Sequence, residues 1–199
     1  MSLKTRFGNL GNILDFDNLT EETIYVLDSP ILTNSQFNKF KKFFSKKIKI
    51  IDCTFDITSS LKDRIEAIRE ESETAVREGS TTLILSDKNI SNKKASIPSI
   101  LTVGAVHSHL VKHGLRGYCS LNVECSDALD THSFAVLIGV GATTVNPYLA
   151  IDSIYQRFEK KLFGKADFES CVVKFKKSID AGLLKIMSKM GISVISSYR

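Results

Sequence analysis

The chain has 199 residues, of which 43% are hydrophobic, 25% charged and 9% aromatic, a balance that excludes a disordered, collagenous or repeat-built polymer and fits one globular domain. No run approaches the ~18 consecutive apolar residues that cross a bilayer, and the first residues lack the apolar stretch of a signal peptide, so no membrane association is expected. A net charge of +5 from 27 basic and 22 acidic side chains is mild for this length. Cys53, Cys119, Cys125 and Cys171 are scattered without paired C-x2-C spacing, which predicts core thiols in a reducing cytoplasm and no zinc ribbon.

Before residue 47 the signals are sparse. Leu19-Thr20-Glu21-Glu22 and the Asp28-Ser29-Pro30 turn predict an arm that wraps the domain without a core of its own, and Met1-Ser2-Leu3 reads as an added leader. Phe37, Phe40, Phe43 and Phe44 fall on one face of a helix, and Lys39, Lys41, Lys42, Lys46, Lys47 and Lys49 would occupy its wet face. A nucleic-acid patch would show the same lysines but predicts a steep salt dependence of binding; the solvated face is the reading adopted.

From residue 47 short β-branched runs alternate with helix-period segments, the pattern of parallel βα units. Ile48 to Phe55 is the first strand. A helix follows, capped by Ser60 and Asp63, with Leu61, Ile65, Ile68, Ala75 and Val76 on its buried stripe and Gly79 at its end. Thr81 to Ser86 shows no polar alternation and reads as a central strand. A polar loop, Asp87 to Ala95, leads through Pro98 into a helix from Ser99 to Gly114. Tyr118 to Cys125 is a third strand, followed by a loop with Asp127 and Asp130 and a helix from Thr131 to Gly139. Ala142 to Val145 is the fourth strand, and Asn146-Pro147 predicts the cap of a helix reaching Phe163. The clearest period belongs to Phe168, Val172, Phe175, Ile179, Leu183, Ile186 and Met190, ended by Gly191. Ile192 to Ile195 then starts a strand close to Arg199.

The expected fold class is therefore α/β: successive right-handed βα units with a mainly parallel sheet, open or shaped like part of a barrel. Residues 1–46 form the arm and amphipathic helix, 47–191 the α/β domain, and 192–199 the opening of a further domain.

All four histidines, His107, His109, His113 and His132, fall within a short stretch. His107 and His109 lie about 200° apart around a helix and cannot share a metal, whereas His109 and His113 are four residues apart and can, with Glu124 or Asp127 as a third ligand. The alternative to such a site is that His113 caps the helix end and the others make polar contacts between layers. Gly139-Val140-Gly141 has two glycines of a dinucleotide loop but follows a helix, so it reads as a helix-to-strand turn. No nucleophile motif is present.

Several segments in order resemble the central domain of the large subunit of glutamate synthase. They are Ser29-Pro30-Ile31-Leu32-Thr33, Ala75-Val76-Arg77-Glu78-Gly79, Leu83-Ile84-Leu85-Ser86-Asp87, Gly104-Ala105-Val106-His107-Ser108-His109-Leu110 and Gly114-Leu115-Arg116. Stronger still are Leu137-Ile138-Gly139-Val140-Gly141-Ala142, Val145-Asn146-Pro147-Tyr148-Leu149-Ala150, and Gly182 through Ser193 with the ending Ser197-Tyr198-Arg199. This chain departs from the family at His107-Ser108-His109, where three histidines are usual, and at His132-Ser133-Phe134, where two precede the phenylalanine.

The resemblance implies a parent enzyme that converts glutamine, 2-oxoglutarate and a reductant to two glutamates, with FMN and an iron-sulfur cluster. Its partners would be amidotransferase and flavin domains of the same polypeptide and a small reductase subunit or ferredoxin. In that setting this chain is a connecting domain that helps form the ammonia passage through its loops Asp87 to Pro98 and Glu124 to Thr131. It has no catalytic residues of its own and no activity alone. Met190, Gly191, Ile192 and Ser193 would lie near the FMN of the whole enzyme. A free-standing small-molecule or metal-binding α/β protein using His109, His113 and Glu124 is the alternative reading.

Overall fold

The computed structural model describes residues 1–7 and 25–198. The arm signal at Leu19-Thr20-Glu21-Glu22 lies outside the described residues. A short antiparallel pair, β1 (Thr5–Phe7) and β2 (Tyr25–Leu27), leads to helix α1 (Asn34–Phe43), whose start is closed by a capping box between Thr33 and Gln36.

Four parallel strands then form the sheet: β3 (Ile48–Asp52), β5 (Thr82–Ser86), β7 (Ser120–Glu124) and β8 (Thr144–Asn146), neighbours in that order. A two-stranded ribbon interrupts the series, because β4 (Thr54–Asp56) pairs antiparallel with β6 (Lys94–Ser96). Strand order follows chain order with no reversal, as in the wall of a barrel and unlike a doubly wound sheet with a switch point. Beyond β8, Ile31 bridges Val145 in parallel, and Leu32 N–H donates to the Val145 carbonyl at 2.9 Å, so the arm continues the wall.

Each strand is followed by a helix. They are α2 (Leu61–Arg77), α3 (Ser99–Lys112), α4 (Thr131–Gly139) and α5 (Tyr148–Glu159), and α6 (Phe168–Met190) lies against α4 and α5. The expected cap at Ser60 forms, its hydroxyl accepting from Asp63 N–H at 3.3 Å. Gly191 stops α6 in the left-handed conformation at φ 71°.

Alternation along the strands gives the sheet two different faces. Ile51, Leu83, Leu85, Leu121 and Val123 point to the helices and form the main core with Ile68, Val103, Val106, Phe134 and Leu183. The other face carries Thr82, Ile84, Ser86, Asn122, Glu124, Thr144 and Asn146, all buried, and six of these seven are polar or charged. The central strand therefore does alternate: the polar ends Thr82 and Ser86 share a face with Ile84.

What covers that face corrects the expectation of a coreless arm. Phe7, Leu32, Phe37, Phe40 and Ile84 make a second buried cluster, with Tyr25, Leu27, Phe44 and Ile48 packed around it. The cause is aromatic: Phe7 and Tyr25 bring their rings to 5.1 and 5.9 Å from Phe40, edge to face. Leu3 is buried and Ser2 pairs with Val194, so these residues pack against the domain.

Several boundaries differ from expectation; α5, expected to reach Phe163, ends at Glu159. The strand from Ile48 breaks at Cys53, whose N–H still donates to the Ser86 carbonyl while its own carbonyl accepts from Ile97 N–H. Asn146 ends β8 rather than capping α5, whose N-cap position is Pro147; its amide nitrogen instead donates to the Leu32 carbonyl at 2.9 Å and Asn34 Oδ1 at 3.0 Å. Residues 192–195 form one bridge, at Val194, followed by a single 3-10 turn, Ile195–Ser197, and no extended strand.

Candidate functional site

Register aligns the last residues of the four strands, Asp52, Ser86, Glu124 and Asn146, in one row at the strand-end edge. Glu124 is its centre and only 4% exposed. Lys41 of α1 reaches its Oε1 at 3.2 Å, Lys88 reaches the same oxygen at 2.9 Å, and the Ser86 hydroxyl donates to Oε2 at 2.7 Å. Burial pushes this carboxyl up, but the Lys88 and Ser86 hydrogen bonds and the two lysine charges outweigh it and hold it below the usual carboxylate range. Both lysines also lie over aromatic rings, Lys41 at 4.8 Å from Phe37 and Lys88 at 5.2 Å from Tyr148.

Asp87 is the second centre and is 2% exposed. Its Oδ2 accepts from the Ser96 hydroxyl at 3.0 Å and from the backbone and hydroxyl of Ser126 at 3.0 and 2.6 Å. Its Oδ1 is buried with no hydrogen-bond partner among the described residues. The neighbouring cavity, about 10 Å³ and lined by Cys53, Ser99, Thr102 and Glu124 among others, has room for about one water. Burial, then the Asp87 charge, raises the Tyr148 phenol. Asp127 accepts from Ser99 N–H at 2.9 Å and so supplies the cap that Pro98 cannot give α3. The loops 87–98 and 124–131 are thus tied to each other through Asp87 and Ser126, and the second loop is tied to the start of α3 through Asp127.

The chemistry of this edge is that of a rigid, paired polar surface. Each serine hydroxyl here, of Ser86, Ser96 and Ser126, donates to a carboxylate and not to a nitrogen base. Burial raises the Cys53 and Cys125 thiols, which suppresses the nucleophilic thiolate. All four cysteines are free.

The structure brings two of the three expected metal ligands together. His109 and His113 stack with ring centroids 4.4 Å apart, and the carboxylate that joins them is Glu73 of α2, at 2.7 Å from His109 and 3.3 Å from His113. Glu124 does not join them, because register places it on the opposite face of the sheet in the grip of two lysines. His113 is also the C-cap of α3. His107 accepts from Arg116 Nε at 3.1 Å, and Arg116 continues to the Cys119 and Gly141 carbonyls at 2.6 and 2.9 Å, clamping the strand-start edge. A side chain at Gly141, where φ is 122°, would collide with His107, so 139–141 is a helix-to-strand turn.

Met190, Gly191 and Ser193 are exposed, and Ile192 is half-buried. Sequence reasoning missed Lys41, Lys88, Asp87 and Glu73 as site residues. The strict alternation Ser120-Leu121-Asn122-Val123-Glu124 was the available signal for a polar inner face.

Fold and site together define an α/β wall of parallel βα units whose polar inner face is braced by ion pairs. Residues 1–199 match the family described as "Glutamate synthase central domain", and the chain belongs to that family. Curated relatives agree. The glutamate synthase [NADPH] large chain of Azospirillum brasilense is 52% identical over 202 residues, covering 100% of this chain and 13% of that protein. The ferredoxin-dependent glutamate synthase of Pyropia yezoensis is 37% identical, covering 100% and 14%. The Bacillus subtilis glutamate synthase [NADPH] large chain is 41% identical, covering 87% and 11%. This chain therefore spans about an eighth of the relatives it matches. Among solved structures, a flavocytochrome b2 mutant with sulfite bound aligns at TM-score 0.51 and 14% identity, covering 85% of this chain and 52% of that one. A mandelate oxidase mutant with an FMN adduct aligns at TM-score 0.50 and 14% identity, covering 70% and 45%. These likenesses show the α/β fold. No helix among the described residues is long and apolar enough to cross a membrane.

Proposed function

We propose that this chain works as the connecting domain of a glutamate synthase, between an amidotransferase domain that releases ammonia from glutamine and a flavin domain that uses it to convert 2-oxoglutarate to glutamate. The observation that carries this reading is the match of the whole chain to a segment of glutamate synthase large chains. Free ammonia equilibrates with ammonium in water and is lost, so a passage between two sites needs stiff walls that exclude bulk water. The loops 87–98 and 124–131, joined through Asp87 and Ser126, and the buried ion pairs of Glu124 supply such stiffness, and they are assigned to the passage or to the facing domains. The cytoplasm is the assigned compartment, in keeping with four unpaired thiols. Relatives named for NADPH and for ferredoxin match over the full chain, which supports an electron donor chosen elsewhere in the enzyme, at a reductase subunit or a ferredoxin surface.

The parent enzyme is taken to hold FMN and an iron-sulfur cluster, with FMN carrying the electrons when bound. Met190 to Ser193 is assigned to the vicinity of the flavin in the whole enzyme. This segment sits at the C-terminal end of α6, where the helix dipole disfavours a phosphate, and Ser193 O accepts from Ser2 N–H at 2.8 Å. Its residues fit contact with an apolar ring edge, and not a hold on the phosphate. In the full-length enzyme, Ser193→Trp should leave glutamine hydrolysis intact while glutamate formed per glutamine falls from two towards one and ammonia escapes. Unchanged coupling would sink the assignment.

A further inference from the structure

We propose that Glu73, His109 and His113 form a binding site for one zinc-type divalent cation, clamping α2 to α3 on the outer side of the helix layer. Each residue offers one ligand atom, and these atoms all lie within 4.8 Å of one another. The histidines come from successive turns of α3, so their imidazoles leave the same face, and Glu73 meets them from the neighbouring helix. The side chains are 20%, 18% and 34% exposed for Glu73, His109 and His113, which gives an ion access from solvent without leaving the ligands loose.

The donor set selects the metal. Two imidazoles and one carboxylate, with a position left for water, suit zinc and its late first-row neighbours, whereas magnesium and calcium require oxygen ligands. Bonds of about 2.0–2.1 Å imply ligand-to-ligand edges of about 3.3 Å in a tetrahedral site. Glu73 Oε2 stands 2.7 Å from His109 Nε2 and the three ligand atoms all lie within 4.8 Å of one another, so side-chain rotation brings the edges to that length. Arg77 holds Glu73 Oε1 at 2.8 Å, which leaves Oε2 for the cation and fixes the carboxylate as an outer-sphere partner does.

The test is a zinc titration of the 199-residue chain, purified without a histidine tag, by calorimetry, with thermal unfolding followed in parallel. One equivalent should bind and raise the unfolding temperature, and magnesium should do neither. Glu73→Gln, which keeps a partner for His109, and His113→Ala should each weaken zinc at least about tenfold, while His132→Ala and Cys171→Ser should bind as the parent does. Cobalt(II) in the unaltered chain gives a readout independent of how any variant folds: visible ligand-field absorption without thiolate charge-transfer bands is expected. No saturable zinc binding, thiolate bands with cobalt, or undiminished binding by Glu73→Gln would overturn the site.

Discussion

Glu124 is a buried carboxylate whose charge is matched by two lysines from different parts of the chain, one on α1 and one just beyond β5. Glu124→Gln keeps the shape but leaves Lys41 and Lys88 without a counter-charge. Because the lysines are partly solvated, the expected loss is about 1–2 kcal/mol, read from urea unfolding at neutral pH. The same carboxyl makes stability depend on pH. Its value in the folded chain lies below its ordinary value, so between the two the unfolded chain binds more protons. Its contribution is complete above the ordinary carboxylate range and drains as pH falls through the folded value. The slope of unfolding free energy against pH below about 4.5 should therefore be shallower in Glu124→Gln than in the parent. Gly182 offers a second residue-scale test, since a Cβ there would stand 2.5 Å from Thr131. Gly182→Ala should cost about 1–3 kcal/mol, and adding Thr131→Ala should recover most of it, because the Thr131 methyl and hydroxyl make the closest contacts while its Cβ stays 3.2 Å away.

At the scale of elements, local signals placed what local physics decides. Ser60 with Asp63, the period of α6 and the left-handed Gly191 were legible because a cap, a buried stripe and a stop each depend on residues within a few positions. The misses involve distant partners. Nothing near Cys53 announces that the strand ends there so that β4 can pair with β6, nor that Asn146 will be taken by Leu32 and Asn34. Lys41 looked like one more solvated lysine because its acceptor is 83 residues away. The start of α3 shows the same logic, with its cap supplied by Asp127 from a later loop. Asp127→Ala should cost about 1 kcal/mol and raise amide exchange in the first turn of α3, with α6 unaffected; equal exchange in both helices would argue against a local cap.

For the whole molecule, alternating βα units gave away a parallel sheet, while its order as a barrel-like wall and its polar inner face emerged only from pairing and register. That face, closed by the arm and α1, is buried although six of its seven residues are polar or charged. The proposed connecting role rests on the two loops at the strand-end edge acting as one stiff surface beside an ammonia passage. The most direct test is the stoichiometry of the full-length enzyme carrying Asp87→Asn with Ser126→Ala, which removes the Ser126 hydroxyl bond and the Asp87 charge from their mutual tie at nearly constant volume. Glutamate formed per glutamine consumed should fall from two towards one, with free ammonia making up the difference; a ratio held at two in a folded variant would contradict the connecting role of this edge.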